Sequence, residues 1–234
     1  MKIVVTRPRG QQHGMMQALA QAGYVAIHQP ALAIQPLDVD DAMRRRLMDL
    51  DLYHAVFFVS ANAAKFGLAA MADVWPQWPV GIHWLAVGEG TARVLRGEGM
   101  IPEVPQQGFN SEAVLALPCL QQIEDQRILI CRGQHGREWL ANALRARGAN
   151  VDVLPLYRRD PLPWQGPSDA AGVLITSCEG AAVVAPLLAK ESVVIAAGQR
   201  VATAVKQYHQ GQVVAAKSAH DGDMLMALKQ ALPL

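Results

Sequence analysis

Short runs rich in apolar residues recur along this chain. Each is followed by a turn rich in Ser, Thr, Gly or Arg, and then by an Ala/Leu-rich stretch whose apolar positions repeat at helical spacing. The clearest runs are residues 3–6, 55–60, 84–88, 127–131, 151–156, 172–177 and 193–198. Strand and helix in alternation are the signature of an α/β fold. Most of the runs are continuous rather than alternately apolar and polar, so helices are expected on both faces of the sheet.

The pattern is also duplicated. Aligning the segment from Val4 with that from Leu129 sets Arg7 on Arg132, Leu19 on Leu144, Gly23 on Gly148 and Pro30 on Pro155. Aligning the segment from Ala55 with that from Gly172 sets Ser60 on Ser177, Gly88 on Gly198 and Ala92 on Ala202. The order is unit one, unit two, unit one, unit two, which a simple tandem would satisfy. So would a fold in which the middle of the chain forms one domain and its two ends form the other. Proline and glycine punctuation is heavy at 29–36 and in DPLPWQGP (160–167), whereas 120–126 at the centre has neither residue. That distribution favours the second arrangement. The expectation is a contiguous α/β domain at 38–158 and a discontinuous one at 1–35 plus 165–234, with linkers near 33–38 and 158–167. Each would be a flavodoxin-like, doubly wound sheet of about five parallel strands, and the two would be joined by two crossing linker strands.

Composition narrows the function. With 21 basic against 20 acidic residues in 234, no global field draws the chain to nucleic acid or a membrane, so an anionic ligand must be held by local groups. The three cysteines form no CxxC pair and no even set, which argues against a disulfide framework and a zinc ribbon and fits a reducing cytoplasm. MKIVVTRPRG enters a β-type run directly, without the features of a signal peptide, and no run reaches the length of a membrane helix.

Ligands of open parallel sheets bind beyond the carboxyl ends of the strands. The turns expected there are VVTRPRG, FVSANA, AVGEGTA, LICRGQHGRE, LITSCEG and AAGQRVA. Helix starts at such turns offer free N–H groups and a positive dipole end, which suit a carboxylate or phosphate. Taken singly, each Ser, Thr or Gly there is also what an ordinary N-cap or tight turn requires. The repeat singles out Arg7 and Arg132 as carboxylate forks.

Taken together and in order, VTRP, FVSANA, AVGEGTA with GFNSEAVLALP, ICRGQHGREWL with ALRARGA and LPLYRR, LITSCEG and a weaker AAGQRVATA resemble the uroporphyrinogen-III synthase family over nearly the whole chain. The resemblance implies a lyase of tetrapyrrole biosynthesis, leading to haem, sirohaem and cobalamin, that needs no cofactor and no metal. It implies conversion of hydroxymethylbilane to uroporphyrinogen III with loss of water. Loss of the hydroxyl gives an azafulvene, which the substituted carbon of ring D attacks to form a spiro intermediate that fragments and recloses. By matching motif positions it places Ser60, Thr91, Ser177 and Gly198 at the substrate, with further contacts from Asn62, Gly88 and the turn at Ser111. Tyr157 of LPLYRR becomes the general acid that assists departure of the hydroxyl, a role open to a phenol that stays protonated at neutral pH. The expected partner is the small-molecule substrate, handed over from hydroxymethylbilane synthase, with no nucleic acid, no membrane and a monomeric cytoplasmic enzyme. The chain departs from the family in GQRVATA, where Val201 lacks a hydroxyl.

Two other readings compete. Duplicated α/β lobes also serve hinge-type binding modules that close on a small anion. A nucleotide-dependent enzyme would require a dinucleotide or P-loop fingerprint, and GEGTAR has Arg93 where the third glycine would stand. The seven histidines show no HExxH or Cys/His spacing, so no metal is expected. Trp75 and Trp78 are expected to pack, and Arg44, Arg45 and Arg46 to face solvent.

Overall fold

The computed structural model describes all residues except 107–110 and 137, and describes Ser111 by its backbone only. In chain order the elements are β1 (Lys2–Val5), α1 (His13–Gln21), β2 (Val25–His28), β3 (Leu32–Pro36), α2 (Asp41–Met48), β4 (Ala55–Phe58), α3 (Ala61–Ala72), β5 (His83–Ala86), α4 (Glu89–Gly97) and α5 (Ser111–Val114). There follow β6 (Arg127–Gly133), α6 (Trp139–Ala146), β7 (Asn150–Pro161), β8 (Gly172–Ile175), α7 (Cys178–Val184), β9 (Val193–Ala196), α8 (Gln199–Lys206), β10 (Val213–Ala215) and α9 (Asp221–Ala231). Two compact units result: Met1–Ile34 with Arg159–Leu234, and Gln35–Arg158.

The discontinuous unit holds a sheet in the order β10-β9-β8-β1-β2, parallel throughout. Central strands β8 and β9 are buried at every position, as their unbroken apolar sequences require, whereas edge strands β2 and β10 contain no fully buried residue. Val4, Val173, Ile175, Val194 and Ala196 pack on one face against Ala181 and Val184 of α7 and Val201 and Val205 of α8. On the other face Ile3, Val5, Leu174 and Ile195 meet Met15 and Leu19 of α1 and Met224 and Leu228 of α9. Neither face of this sheet is left to water.

The contiguous unit has the order β3-β7-β6-β4-β5, and β7, β6, β4 and β5 are parallel. Leu162 N–H donates to Ala31 and Leu37 N–H donates to Leu156, so β3 runs opposite to β7. The fifth strand here is therefore antiparallel, where a fully parallel set was expected. Strand β7 also continues through LYRRDP to Pro161 because β3 supplies it with a partner. Pro36 and Pro161 stand at the strand ends, where no ladder N–H is needed. Phe57, Leu85, Ile128 and Ile130 pack against Val114, Leu140 and Leu144. On α3, Gly67 lets the helix sit close to the sheet, since a Cβ there would lie 2.9 Å from the Phe58 ring.

The duplicated positions adopt matching local structure. Gly23 and Gly148 both end a helix with φ of +85°, a conformation glycine takes without steric cost. Leu19 and Leu144 are both fully buried one turn earlier.

Candidate functional site

In the contiguous unit the turns after β4, β5 and β6 share the carboxyl edge of the parallel strands. Ser60 caps α3: its backbone is extended, and its Oγ accepts from Ala63 N–H at 3.1 Å. The same Oγ lies 3.1 Å from the Tyr157 hydroxyl, joining residues 97 positions apart. Tyr157 is buried, its ring centroid 5.9 Å from that of Phe66. Gly133 at the end of β6 makes room for that ring, because a Cβ there would fall 2.9 Å from Cε2 and Cζ. Three elements, α3, β6 and β7, thus place one phenol at the start of a helix of 12 residues.

Asn62 occupies the first turn of α3 and is half-buried. Gly88 caps α4 in extended conformation, and Thr91 is buried in its first turn. Glu89 would put a negative charge at this helix start, but Arg96 binds it at 2.7 Å, and that hydrogen bond holds its carboxyl below the usual range. Arg132 is mostly buried and ion-paired with Glu138, the residue before α6. Ser111 begins the short α5, and its side chain lies outside the described residues.

In the discontinuous unit, Ser177 repeats the arrangement of Ser60. It caps α7, and its Oγ accepts from Gly180 N–H at 3.0 Å. Gly198 caps α8 at φ +89°, and a Cβ at that position would meet nothing within 4 Å. The bare backbone there is a conformational requirement rather than a steric one. Arg7 is already engaged: its guanidinium binds Asp221 at 2.5 Å, the Ala219 carbonyl at 2.6 Å and the Gln11 carbonyl at 3.4 Å. The fork expected to be open is thus tied to the start of α9. First-turn Glu179 of α7 is likewise paired, with Arg159.

Sequence reasoning missed a cavity of about 480 Å³ in this unit, lined by Gln12, His28, Gln29, Leu162 and Gln165 among others. His28 ends β2, and its Nε2 lies 2.8 Å from the Arg7 carbonyl. The available signal was its place at the carboxyl end of a strand. Trp75 and Trp78 donate to the carbonyls of Leu47 and Glu98, so they anchor helix ends. Arg46 lies 3.5 Å from Asp152 rather than wholly in solvent.

The fold and its strand-end turns define the class: an α/β protein of parallel sheets with hydroxyl-capped and glycine-capped helix starts. The family described as uroporphyrinogen-III synthase HemD matches residues 14–226. The chain belongs to the uroporphyrinogen-III synthase family, whose members are cyclising lyases of tetrapyrrole biosynthesis. It is 34% identical over 160 residues to the uroporphyrinogen-III synthase of Proteus mirabilis, covering 68% of this chain and 80% of that one. With the Escherichia coli enzyme of the same name it shares 32% identity over 171 residues, covering 73% and 70%. Among solved structures, a mutant uroporphyrinogen III synthase of Thermus thermophilus superposes with a TM-score of 0.66 at 17% identity, covering 99% and 98% of the two chains. The Helicobacter pylori enzyme gives 0.65 at 16% identity, covering 99% of each. At that identity the structural likeness speaks for the fold.

Proposed function

We propose that this chain closes hydroxymethylbilane into uroporphyrinogen III with inversion of ring D and loss of water, and that its helix-start turns receive the substrate's carboxylates. In this reading each unit is a flavodoxin-like, doubly wound domain, and β3 and β7 are the two crossing linkers. The strand order supports it: within the discontinuous unit it is 2-1-3-4-5 counted in chain order.

The observation that carries the reading is the Tyr157 hydroxyl beside Ser60 at the head of α3. A serine hydroxyl has one proton and two lone pairs, and one lone pair of Ser60 is taken by Ala63 N–H. When Ser60 donates to the phenol oxygen, the pair fixes that oxygen in place, so that the phenol can pass its proton to a substrate group. That group is the hydroxyl of the bilane, which leaves as water. The positive helix end beside the pair also stabilises the phenolate that remains.

Choice of isomer is a matter of geometry, because the free bilane closes head to tail to the type I ring. Well-oriented groups reach effective molarities of about 10⁵ M or more, so clamping the substrate can supply most of the acceleration. The eight carboxylates are the handles. Ser60, Thr91, Ser177 and Gly198 lie at the helix starts that receive them, aided by Asn62, Gly88 and the turn at Ser111. Arg7 and Arg132, held by Asp221 and Glu138, brace the turns that carry them. The same reading makes the enzyme a cytoplasmic monomer supplied by hydroxymethylbilane synthase. No helix among the described residues is long and apolar enough to cross a membrane.

The test is direct. Purified protein is incubated with freshly made hydroxymethylbilane, the products are oxidised, and the isomers are separated by chromatography. Type III product is expected, and a macrocycle that is solely type I, as in the protein-free blank, would overturn the reading.

A further inference from the structure

At the opposite end of the contiguous unit's sheet, three potential metal ligands meet that no short motif joins. His83 opens β5, five residues before Gly88, which at strand rise is about 16 Å from that helix cap. Its Nδ1 lies 2.5 Å from Glu103 Oε1, and the Cys119 thiol completes a group whose donor atoms all lie within 4.8 Å of one another. Burial and the neighbouring Glu103 carboxylate push the Cys119 thiol up to about 12.

Backbone pairing holds all three in place. His83 N–H donates to the His54 carbonyl at 3.0 Å. Glu103 is bridged to β5, donating to the Trp84 carbonyl at 2.8 Å and accepting from Ala86 N–H at 3.0 Å. Cys119 sits in a single 3₁₀ turn, Pro118–Leu120, whose Cys119 carbonyl is 2.9 Å from His54 Nε2. The ring of that same His54 is 4.8 Å from the ring of His83. Side-chain exposures of 40% for His83 and 36% for Glu103 leave a path from solvent.

We propose that His83, Glu103 and Cys119 form a binding site for a divalent transition metal, with zinc the best match, distinct from the substrate turns and unused by the cyclisation. Imidazole, carboxylate and thiolate are the ligand types zinc takes, and tetrahedral bonds of roughly 2.0–2.3 Å set donors about 3.5 Å apart. The present group needs adjustments of only about 1 Å to reach that geometry: the His83–Glu103 contact opens and the wider separations shorten. Water fills the fourth position. The mixed nitrogen, oxygen and sulfur set disfavours magnesium and calcium, which prefer oxygen alone. His54 acts as a positioning residue, holding the turn that carries the thiol.

The experiment strips the full chain with a chelator and titrates it with Co²⁺, then with Zn²⁺. One equivalent of Co²⁺ is expected to bind with a thiolate-to-metal charge-transfer band, which Zn²⁺ abolishes by displacement. Cys119→Ser removes the band, His83→Gln and Glu103→Gln each weaken Zn²⁺ binding about tenfold or more, and Cys178→Ser leaves both unchanged. Should Cys119→Ser fail to fold, the His83→Gln affinity carries the test. Absence of stoichiometric binding overturns the proposal, as does a band that survives Cys119→Ser or disappears only with Cys178→Ser. The readout is independent of isomer formation, so the site stands or falls apart from the proposed cyclisation.

Discussion

Replacing Tyr157 with phenylalanine isolates one hydroxyl. The ring keeps its place, because the space over Gly133 and the contact with Phe66 depend on carbon atoms. Ser60 keeps its capping bond to Ala63 N–H at 3.1 Å, so α3 retains its start. The loss includes the hydroxyl pair with Ser60 at 3.1 Å, worth about 0.5–1.5 kcal/mol of stability. A general acid contributes roughly 10²–10⁴-fold to rate, so turnover should fall by about 10² or more. Isomer choice rests on positioning, so the product still made on the enzyme should remain type III. Initial rates with fresh bilane, isomer chromatography of the oxidised products and a thermal unfolding curve read the three quantities separately. A variant within twofold of the parent rate would refute proton donation by Tyr157. A variant that retained the rate but produced type I would refute the assignment of isomer choice to substrate clamping.

Three further outcomes are expected. Gly133→Ala sets a methyl 2.9 Å from the Tyr157 ring, which should cost about 1–3 kcal/mol in a denaturant titration and slow turnover by displacing the phenol. Ser177→Ala removes the cap of α7 and should cost about 1 kcal/mol, whereas Ser177→Thr should restore most of it, both measured by chemical unfolding. Burial, then the hydrogen bond to Asp152 at 2.7 Å and its charge, raises the Tyr53 phenol well above its ordinary value. A raised value in the folded state means that the protonated form favours folding. That stability is fully present below pH about 10 and is lost as pH rises from there toward the raised folded value. The denaturation midpoint should therefore fall more steeply above pH 10 in the parent than in Tyr53→Phe.

The seven apolar runs in the sequence became β1 and β4 to β9. Most owe their legibility to burial on both faces, which leaves no polar residue to interrupt the strand; β7 is the exception, with Asp152 half-buried in its run. The edge strands VAIH, LAIQP and VVA were not, since their exposed positions carry no such constraint. Strand β7 reads as ending near Leu156 but runs to Pro161, because the extension depends on hydrogen bonds from β3, more than a hundred residues earlier. The helix caps at Ser60 and Ser177 could be read locally, from a hydroxyl residue placed between an apolar run and an Ala-rich stretch.

What the chain determines by itself is short-range: apolar continuity, turn chemistry, capping hydroxyls, and the glycines at 23 and 148 that end their helices in the left-handed conformation. Tertiary structure alone decided that Ser60 meets Tyr157, that Asp221 takes the fork of Arg7, and that His83, Glu103 and Cys119 converge. Capping and burial act through neighbours within a turn or a strand, so they leave a periodic trace in the sequence. A contact between side chains tens to hundreds of residues apart depends on strand order and register, which sum over the whole sheet and leave no local trace.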